Sequence, residues 1–303
     1  MQPFAIAIHG GAGADEPFIR LRIAEYEAGL RESAEAGYNV LKRGGSALDA
    51  VEAAVMALED NYLFNAGRGS ALNEEAKVQM DAAIMEGKDL RSGAVAMLES
   101  VKNPIRLAKT ILEHTDQAFL GADGALKLAR EKKLELRPFA YFATNHQYDK
   151  FLEESSKGSL LELLKKKMHG TTGAVALDKK GNIAAACSSG GTPGCLSGRI
   201  GDSCMIGSGY YANNKTCAVS ATGDGEYIIR STVAHSISAM IEYTGKSIQE
   251  ICDHVVHEKN SGIEGDLGVV AIDPKGNIGI AFNSPRMHRA WIGADGRLHV
   301  AIY

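Results

Sequence analysis

The chain has 303 residues, 45% of them apolar and 23% charged, with a formal net charge of -4 at pH 7. Such a composition buries a sizeable core and excludes a wholly disordered chain, and slight acidity without a basic stripe interleaved with aromatics argues against nucleic acid as a partner. No stretch approaches the length of a membrane span, and five cysteines with no C-x-x-C pair suggest neither a disulfide framework nor a zinc site, so a reducing cytoplasm fits best.

The first expected element is a short buried strand, FAIAI, running into the glycine turn HGGAG (9–13). It lacks the basic start and the apolar length of a secretory leader. A helical pattern follows from Pro17 to about Arg43 and ends at Gly44-Gly45. Ser46 with Asp49 forms an S-x-x-D capping box that opens a second helix, ALDAVEAAVMALED. Asn103-Pro104 begins another, with Asn as the cap and Pro at the first helical position.

From Lys132 to Met168 the pattern weakens, although LLELLKKK (160–167) reads as a frayed helix. The expectation is a mobile, protease-accessible segment joining two halves. The second half holds an internal echo: GAVALDKKGNIAAAC from Gly173 and GVVAIDPKGNIGIAF from Gly268 each read as strand, tight turn and returning strand. Helical patterns lie between them at 228–244 and, behind the S-x-x-E box of Ser247 and Glu250, at 247–259. The echoes are almost continuously apolar, which predicts strands covered on both faces by helices in a layered α/β/α domain.

The junction HGTTGAVALD (169–178) carries the chemistry. A threonine hydroxyl is a poor nucleophile until a base takes its proton, and the residue's own α-amine, with a pKa of about 7.7 to 8.0, is one such base. Thr171 has that amine only if the chain is cut before it. Gly170 tolerates strained dihedrals and admits a hydroxyl to its carbonyl carbon. Attack by Thr171 on Gly170 and hydrolysis of the resulting ester would release 1–170 from 171–303. The same residues also read as an ordinary strand entrance, because threonine favours strands.

Eight segments in order, HGGAG (9–13), FNAGRGSALN (64–73), MDAAIMEG (80–87), NPIRLA (103–108), HGTTGAVALD (169–178), SSGG (188–191), GRIGDS (198–203) and TGDGE (222–226), make the chain resemble the plant-type L-asparaginases. These are also called isoaspartyl or β-aspartyl peptidases and are N-terminal-nucleophile hydrolases. The resemblance implies a single domain with a four-layer αββα sandwich, autocatalytic cleavage at Gly170-Thr171 into an α subunit (1–170) and a β subunit (171–303), and an assembly of two of each. It also implies hydrolysis of L-asparagine and of isoaspartyl dipeptides, small molecules with a free α-amine and α-carboxylate beside the amide to be cut.

By the same resemblance Thr171 is the nucleophile, Arg199 clamps the α-carboxylate with a planar fork, and Asp202 receives the ammonium. Thr222 and Gly223 supply the oxyanion donors, and the Gly225 backbone helps to hold the substrate amine. Asn65 supports the nucleophile's surroundings, and Gly10 and Gly11 assist cleavage. Ser189 stands where the family usually has a second threonine; serine keeps the hydroxyl and loses the methyl that restricts χ1, so activity is expected to be retained but slower. Thr172 is expected to pack. No cofactor is implied for catalysis. LEDNYLFNAGRG (58–69) resembles the family's alkali-metal loop, in which the backbone carbonyls of Leu58, Glu59, Asn61, Phe64, Ala66 and Arg68 would hold sodium or potassium.

Three rival readings differ in testable ways. A glycosylasparaginase shows His-Asp-Thr at the cut, and a taspase-like endopeptidase acts on folded proteins. A non-catalytic metabolite-binding protein would use HGGAGA and TGDGE as anion cradles, but no Walker pattern or strand-linked G-x-G-x-x-G accompanies them.

Overall fold

The computed structural model describes residues 3–155, 170–262 and 264–303. Strand β1, Ala5–Gly13, is buried throughout. The single helix expected from Pro17 to Arg43 is two, α1 (Pro17–Arg20) and α2 (Ile23–Lys42). The break falls where Arg22 leaves helical dihedrals (φ -126°, ψ 23°) and Leu21 points into solvent, so no apolar burial holds that turn. The C-terminus of α2 closes as expected: Gly44, at φ 86°, and Gly45 donate their N–H groups back to Leu41 and Val40.

Helix α3, Ala47–Asp60, starts with Ser46 Oγ accepting from Asp49 N at 3.1 Å. Only half of the box forms, because the Asp49 carboxylate takes the Ser46 hydroxyl proton rather than its N–H. Helix α4, Pro104–His114, departs further from expectation. Asn103 makes no side-chain cap; its amide donates to Asp60, and the free Ile105 N–H is taken by the buried Glu59 carboxyl at 3.0 Å. A distant acid thus does the capping that the local sequence assigned to Asn103.

The segment expected to be mobile is partly built into the fold. Residues 135–137 hydrogen-bond to 100–102, and α5 (Ala122–Glu131) is followed by α6 (Phe139–Phe142) and α7 (Asn145–Ser155). Phe142 is fully buried, and Gln147 donates to the Gly69 carbonyl at 2.8 Å. These contacts join sequence-distant residues, which local periodicity does not register. The remainder of that segment, with LLELLKKK, lies outside the described residues.

The strands β2 (Met80–Glu86), β3 (Ser92–Leu98), β4 (Phe119–Gly121), β5 (Thr172–Leu177), β6 (Ile183–Ser189), β11 (Arg286–Ile292) and β12 (Leu298–Ala301) join β1 in an eight-stranded sheet of order β12-β11-β1-β5-β6-β2-β3-β4. A second sheet, β10-β9-β8-β7, holds β7 (Tyr210–Ala212), β8 (Ala218–Gly223), β9 (Leu267–Ile272) and β10 (Ile278–Phe282). The echoes are the hairpins β5-β6 and β9-β10, one in each sheet. Their shared turn is explained by Asp178 and Asp273, whose Oδ1 atoms each accept the N–H groups two and four residues on.

Three cores organise these elements into a mixed α/β fold. The first packs α2 to α5 on one face of the eight-stranded sheet, through Leu30, Val51, Ile84 and Ile111. The second, with Ala7, Val175, Tyr210 and Val270, lies between the sheets. The third sets Val219 and Val269 against α8 (Gly225–Ser231), α9 (Val233–Thr244) and α10 (Ile248–Asp253), the last opened by the full Ser247/Glu250 capping box. A π-helical turn, His254–Lys259, continues α10.

Candidate active site

Thr171 stands immediately before β5, 4% exposed, where the ends of β1, β6 and β8 converge. A register shift in β1 between His9 and Gly11 leaves Gly10 as an extra residue, a bulge that turns the glycine loop toward the junction. Gly11 has φ 112°, and a Cβ there would lie 2.9 Å from the Gly170 Cα. Only glycine lets the loop lie against the residue whose carbonyl the hydroxyl would attack.

The groups expected around Thr171 are together. Thr222, fully buried, accepts N–H groups from Thr171 at 3.3 Å and Ala12 at 3.2 Å, which leaves its own proton to donate. Gly223 follows at φ 137°, its Cα pressed on the backbone of Asp266. The Thr171 hydroxyl reaches Ser189 Oγ at 3.4 Å, and Ser189 Oγ also accepts Gly191 N–H at 3.1 Å. Asn65 fixes this corner: its amide donates to Gly191 O at 2.7 Å, its Oδ1 accepts from Ala71 N at 2.8 Å, and its carbonyl accepts Gly190 N–H at 3.0 Å. Thr172 is buried and donates to Ser188 O, a packing role as expected.

Arg199 and Asp202 form a second charged corner. Asp202 is 3% exposed, its Oδ2 has no partner among the described residues, and burial pushes its pKa up to about 7 despite the pull of Arg199. Gly225 lies against both, since a Cβ there would stand 2.6 Å from Arg199 Nη2 and 2.8 Å from Asp202 Oδ1. The Arg199 fork is held by Glu226, with Nε to Oε1 at 2.8 Å and Nη2 to Oε2 at 3.0 Å. Asp81, buried, fixes the loop that carries Arg199 by accepting Gly201 N–H at 3.0 Å and Met97 N–H at 3.1 Å.

The sequence does not single out Glu226 or Asp81, although they lie inside the segments TGDGE and MDAAIMEG. Glu226 stands 27 positions from Arg199, and nothing local in the sequence signals the pairing. His9 was missed in the same way. Its ring lies between Thr171 O at 2.9 Å and Ser220 Oγ at 2.8 Å.

The 58–69 loop curls on two glycines of positive φ, Gly67 (52°) and Gly69 (144°). A Cβ on Gly69 would lie 2.5 Å from Phe64 O and 2.6 Å from Tyr62 O, and the Glu59 carbonyl crowds Gly67. Leu58, Glu59, Asn61 and Phe64 each accept one loop N–H, which leaves each carbonyl a second lone pair. Among the described residues no cluster of three or more His, Cys, Asp or Glu could hold a metal ion. Backbone carbonyl oxygens are hard donors, the type that suits an alkali cation rather than a transition metal. The Glu59 side chain serves the site separately. Fully buried, with its pKa raised to about 8 by burial, it accepts from Ser188 Oγ at 2.7 Å next to Ser189.

The sequence profile of the asparaginase family matches residues 1–302. The chain is 40% identical to the isoaspartyl peptidase of Escherichia coli K12 over 98% of its own length and 95% of that protein's. It is 39% identical to the isoaspartyl peptidase/L-asparaginase of Xenopus laevis and to that of Homo sapiens, over 100% of its length and 96% of theirs in both cases. Among the described residues no helix is long and apolar enough to cross a membrane.

Proposed function

The chain belongs to the asparaginase family, and on that premise we propose that it is a self-processed threonine hydrolase of L-asparagine and isoaspartyl dipeptides. The observation that carries the reading is the position of Thr171, its hydroxyl on Ser189 and its nitrogen on Thr222, directly behind a glycine packed on the Gly10-Gly11 bulge. The three cores support the family's four-layer αββα arrangement.

In maturation the Thr171 hydroxyl attacks the Gly170 carbonyl, the peptide C–N bond gives way to an ester, and water hydrolyses it. Gly170 becomes a carboxylate, and Thr171 recovers its hydroxyl and gains a free amine. A cavity of about 50 Å³ bordered by Gly170, Asn65 and Gln147 has room for the hydrolytic water beside the scissile residue. In turnover the amine takes the hydroxyl proton and the oxygen attacks the side-chain amide carbon. Thr222 Oγ–H and Gly223 N–H receive the developing oxyanion. The protonated amine returns its proton to the leaving nitrogen, and water then cleaves the β-aspartyl ester.

Arg199 and Asp202 bind the α-carboxylate and ammonium, with Gly225 supplying backbone contact to the amine. The carbonyls of Leu58, Glu59, Asn61, Phe64, Ala66 and Arg68 would hold an alkali ion, which when bound supplies positive charge that fixes the loop under Asn65. No catalytic cofactor enters this reading. Five free cysteines support a reducing cytoplasmic location, and we place the assembly at two α and two β chains, for which a solution mass twice that of the chain is the check.

Intact mass under denaturing conditions tests the core of the reading. Two fragments beginning at Met1 and Thr171, an uncut Thr171→Ala variant, and ammonia release from L-asparagine by the wild type alone are expected. A wild type that stays whole and inactive over several days would overturn it.

A further inference from the structure

His9 sits in β1, entirely buried, and its Nε2 meets Ser220 Oγ, which in turn lies within hydrogen-bond distance of Ala186 O and Cys187 Sγ. Its Nδ1 is 2.9 Å from the Thr171 carbonyl, and a carbonyl oxygen only accepts, so Nδ1 carries a proton. Burial pushes the imidazole pKa down to about 3, so the ring is neutral and Nε2 is a bare acceptor. Ser220 Oγ, 2.8 Å away, must then point its proton at Nε2. Its other neighbours are Ala186 O at 3.0 Å and Cys187 Sγ at 2.8 Å. With one proton to give, Ser220 forgoes Ala186 O, which lies within the sheet between β5 and β2, and can accept the thiol proton of Cys187.

Cys187, His9 and Ser220 together do not make a second nucleophilic centre. All three are fully buried, and burial pushes the thiol pKa up to about 12. Gly173 supplies an independent sign that the contact is built in. A Cβ there would collide with both Ser220 Oγ and His9 Nε2, so the strand that carries Thr171 is bare of side chain where the two groups meet.

We propose that His9 is a positioning residue for Thr171: a neutral imidazole, locked in its Nδ1–H tautomer by Ser220, that grips the Thr171 carbonyl and thereby sets where the amine and hydroxyl point. The inference rests on Thr171 being the nucleophile. It adds that the grip comes from the 1–170 part of the chain and so spans the two pieces after cleavage. Thr171 is held at three atoms: its carbonyl by His9, its nitrogen by Thr222 and its hydroxyl by Ser189. Losing the first leaves the residue free to rotate about the other two, and misplacement by about 1 Å costs up to about a hundredfold in rate.

Two measurements test this. In the wild type labelled with ¹⁵N-histidine, the resonances lost in His9→Asn should report an Nδ1–H, Nε2-bare ring that does not titrate between about pH 5 and 8. In Ser220→Ala the Nε2–H form should gain population. In steady-state kinetics His9→Leu and Ser220→Ala should lower kcat by about ten- to a hundredfold with KM within about twofold, because Arg199 and Asp202 are on other elements. His9→Asn, which keeps a donor near the Nδ1 position, should recover part of the loss. An Nε2–H or protonated His9 in the wild type, or kcat unchanged in Ser220→Ala and in a folded His9→Leu, would overturn the proposal. If His9→Leu does not fold, the wild-type tautomer and Ser220→Ala decide. Failure of the threonine-hydrolase reading looks different, since the wild type itself would then be uncut and inactive.

Discussion

Asp202 offers a prediction in which stability and function move in opposite directions. Its carboxyl is buried, one oxygen has no partner among the described residues, and burial lifts its pKa from 3.8 to about 7. The folded chain therefore holds this proton more tightly than the unfolded chain does. Its stabilising effect is complete below pH 3.8 and is lost as pH rises toward 7. At about 1.4 kcal/mol per pH unit, a gap of about three pH units makes ionised Asp202 cost the fold about 4 kcal/mol by pH 8. Asp202→Asn, neutral at every pH, removes that dependence.

The comparison belongs on a Thr171→Ala background, so that one uncut chain unfolds. Urea unfolding from about pH 5 to 8.5 should show the Asn variant gaining on its parent by about 1.4 kcal/mol per pH unit up to about pH 6.5 and levelling above 7. In the chain with Thr171 intact the same substitution should lower kcat/KM at least about a hundredfold, because the substrate ammonium would lose its buried anionic partner. A stability gap that is flat across this range, or that narrows as pH rises, would refute the reasoning.

Glu226→Gln should raise KM about tenfold with a smaller change in kcat, because the Arg199 fork loses the charge that aims it; a lower KM would show instead that Glu226 competes with substrate. Ser189→Ala should lower kcat by about a hundredfold or more, and Ser189→Thr should keep activity, with no gain in rate if the serine rotamer is harmless. Exhaustive exchange of alkali ions for a bulky organic cation should lower both the melting temperature and kcat, with recovery on adding sodium or potassium; indifference in both readouts would remove the ion from the 58–69 loop.

What could be read from the sequence was what is local. The Ser247/Glu250 box, the glycine stop after α2 and the two D-x-K-G-N hairpins are fixed by residues within a few positions of each other, and each forms as read. The Thr171, Ser189 and Thr222 cluster was legible only because eight ordered motifs made the chain resemble a family; nothing in spacing brings strand ends from two sheets together. Side-chain partners across long separations stayed hidden. Glu59 caps a helix 46 positions on, Arg199 meets Glu226 across 27, and His9 meets Thr171 across 162. Asn103 shows the converse error, a strong local signal overruled because Asp60 lies within reach and Glu59 already serves the helix end.

The order of the eight-stranded sheet carries one more consequence. Strand β1 lies between β11 and β5, and β2 lies beside β6, so strands from before and after Gly170 interleave in blocks across the sheet. A cut at that point opens no seam: neither piece can leave without tearing β1 from neighbours on both its edges. Before the cut, refolding is an event within one molecule and independent of concentration. After it, two strangers must find each other and thread the same weave, so dilution alone slows recovery. Maturation would then be irreversible in a sense beyond the broken bond, and the interleaved sheet would keep a record that the two pieces were once continuous.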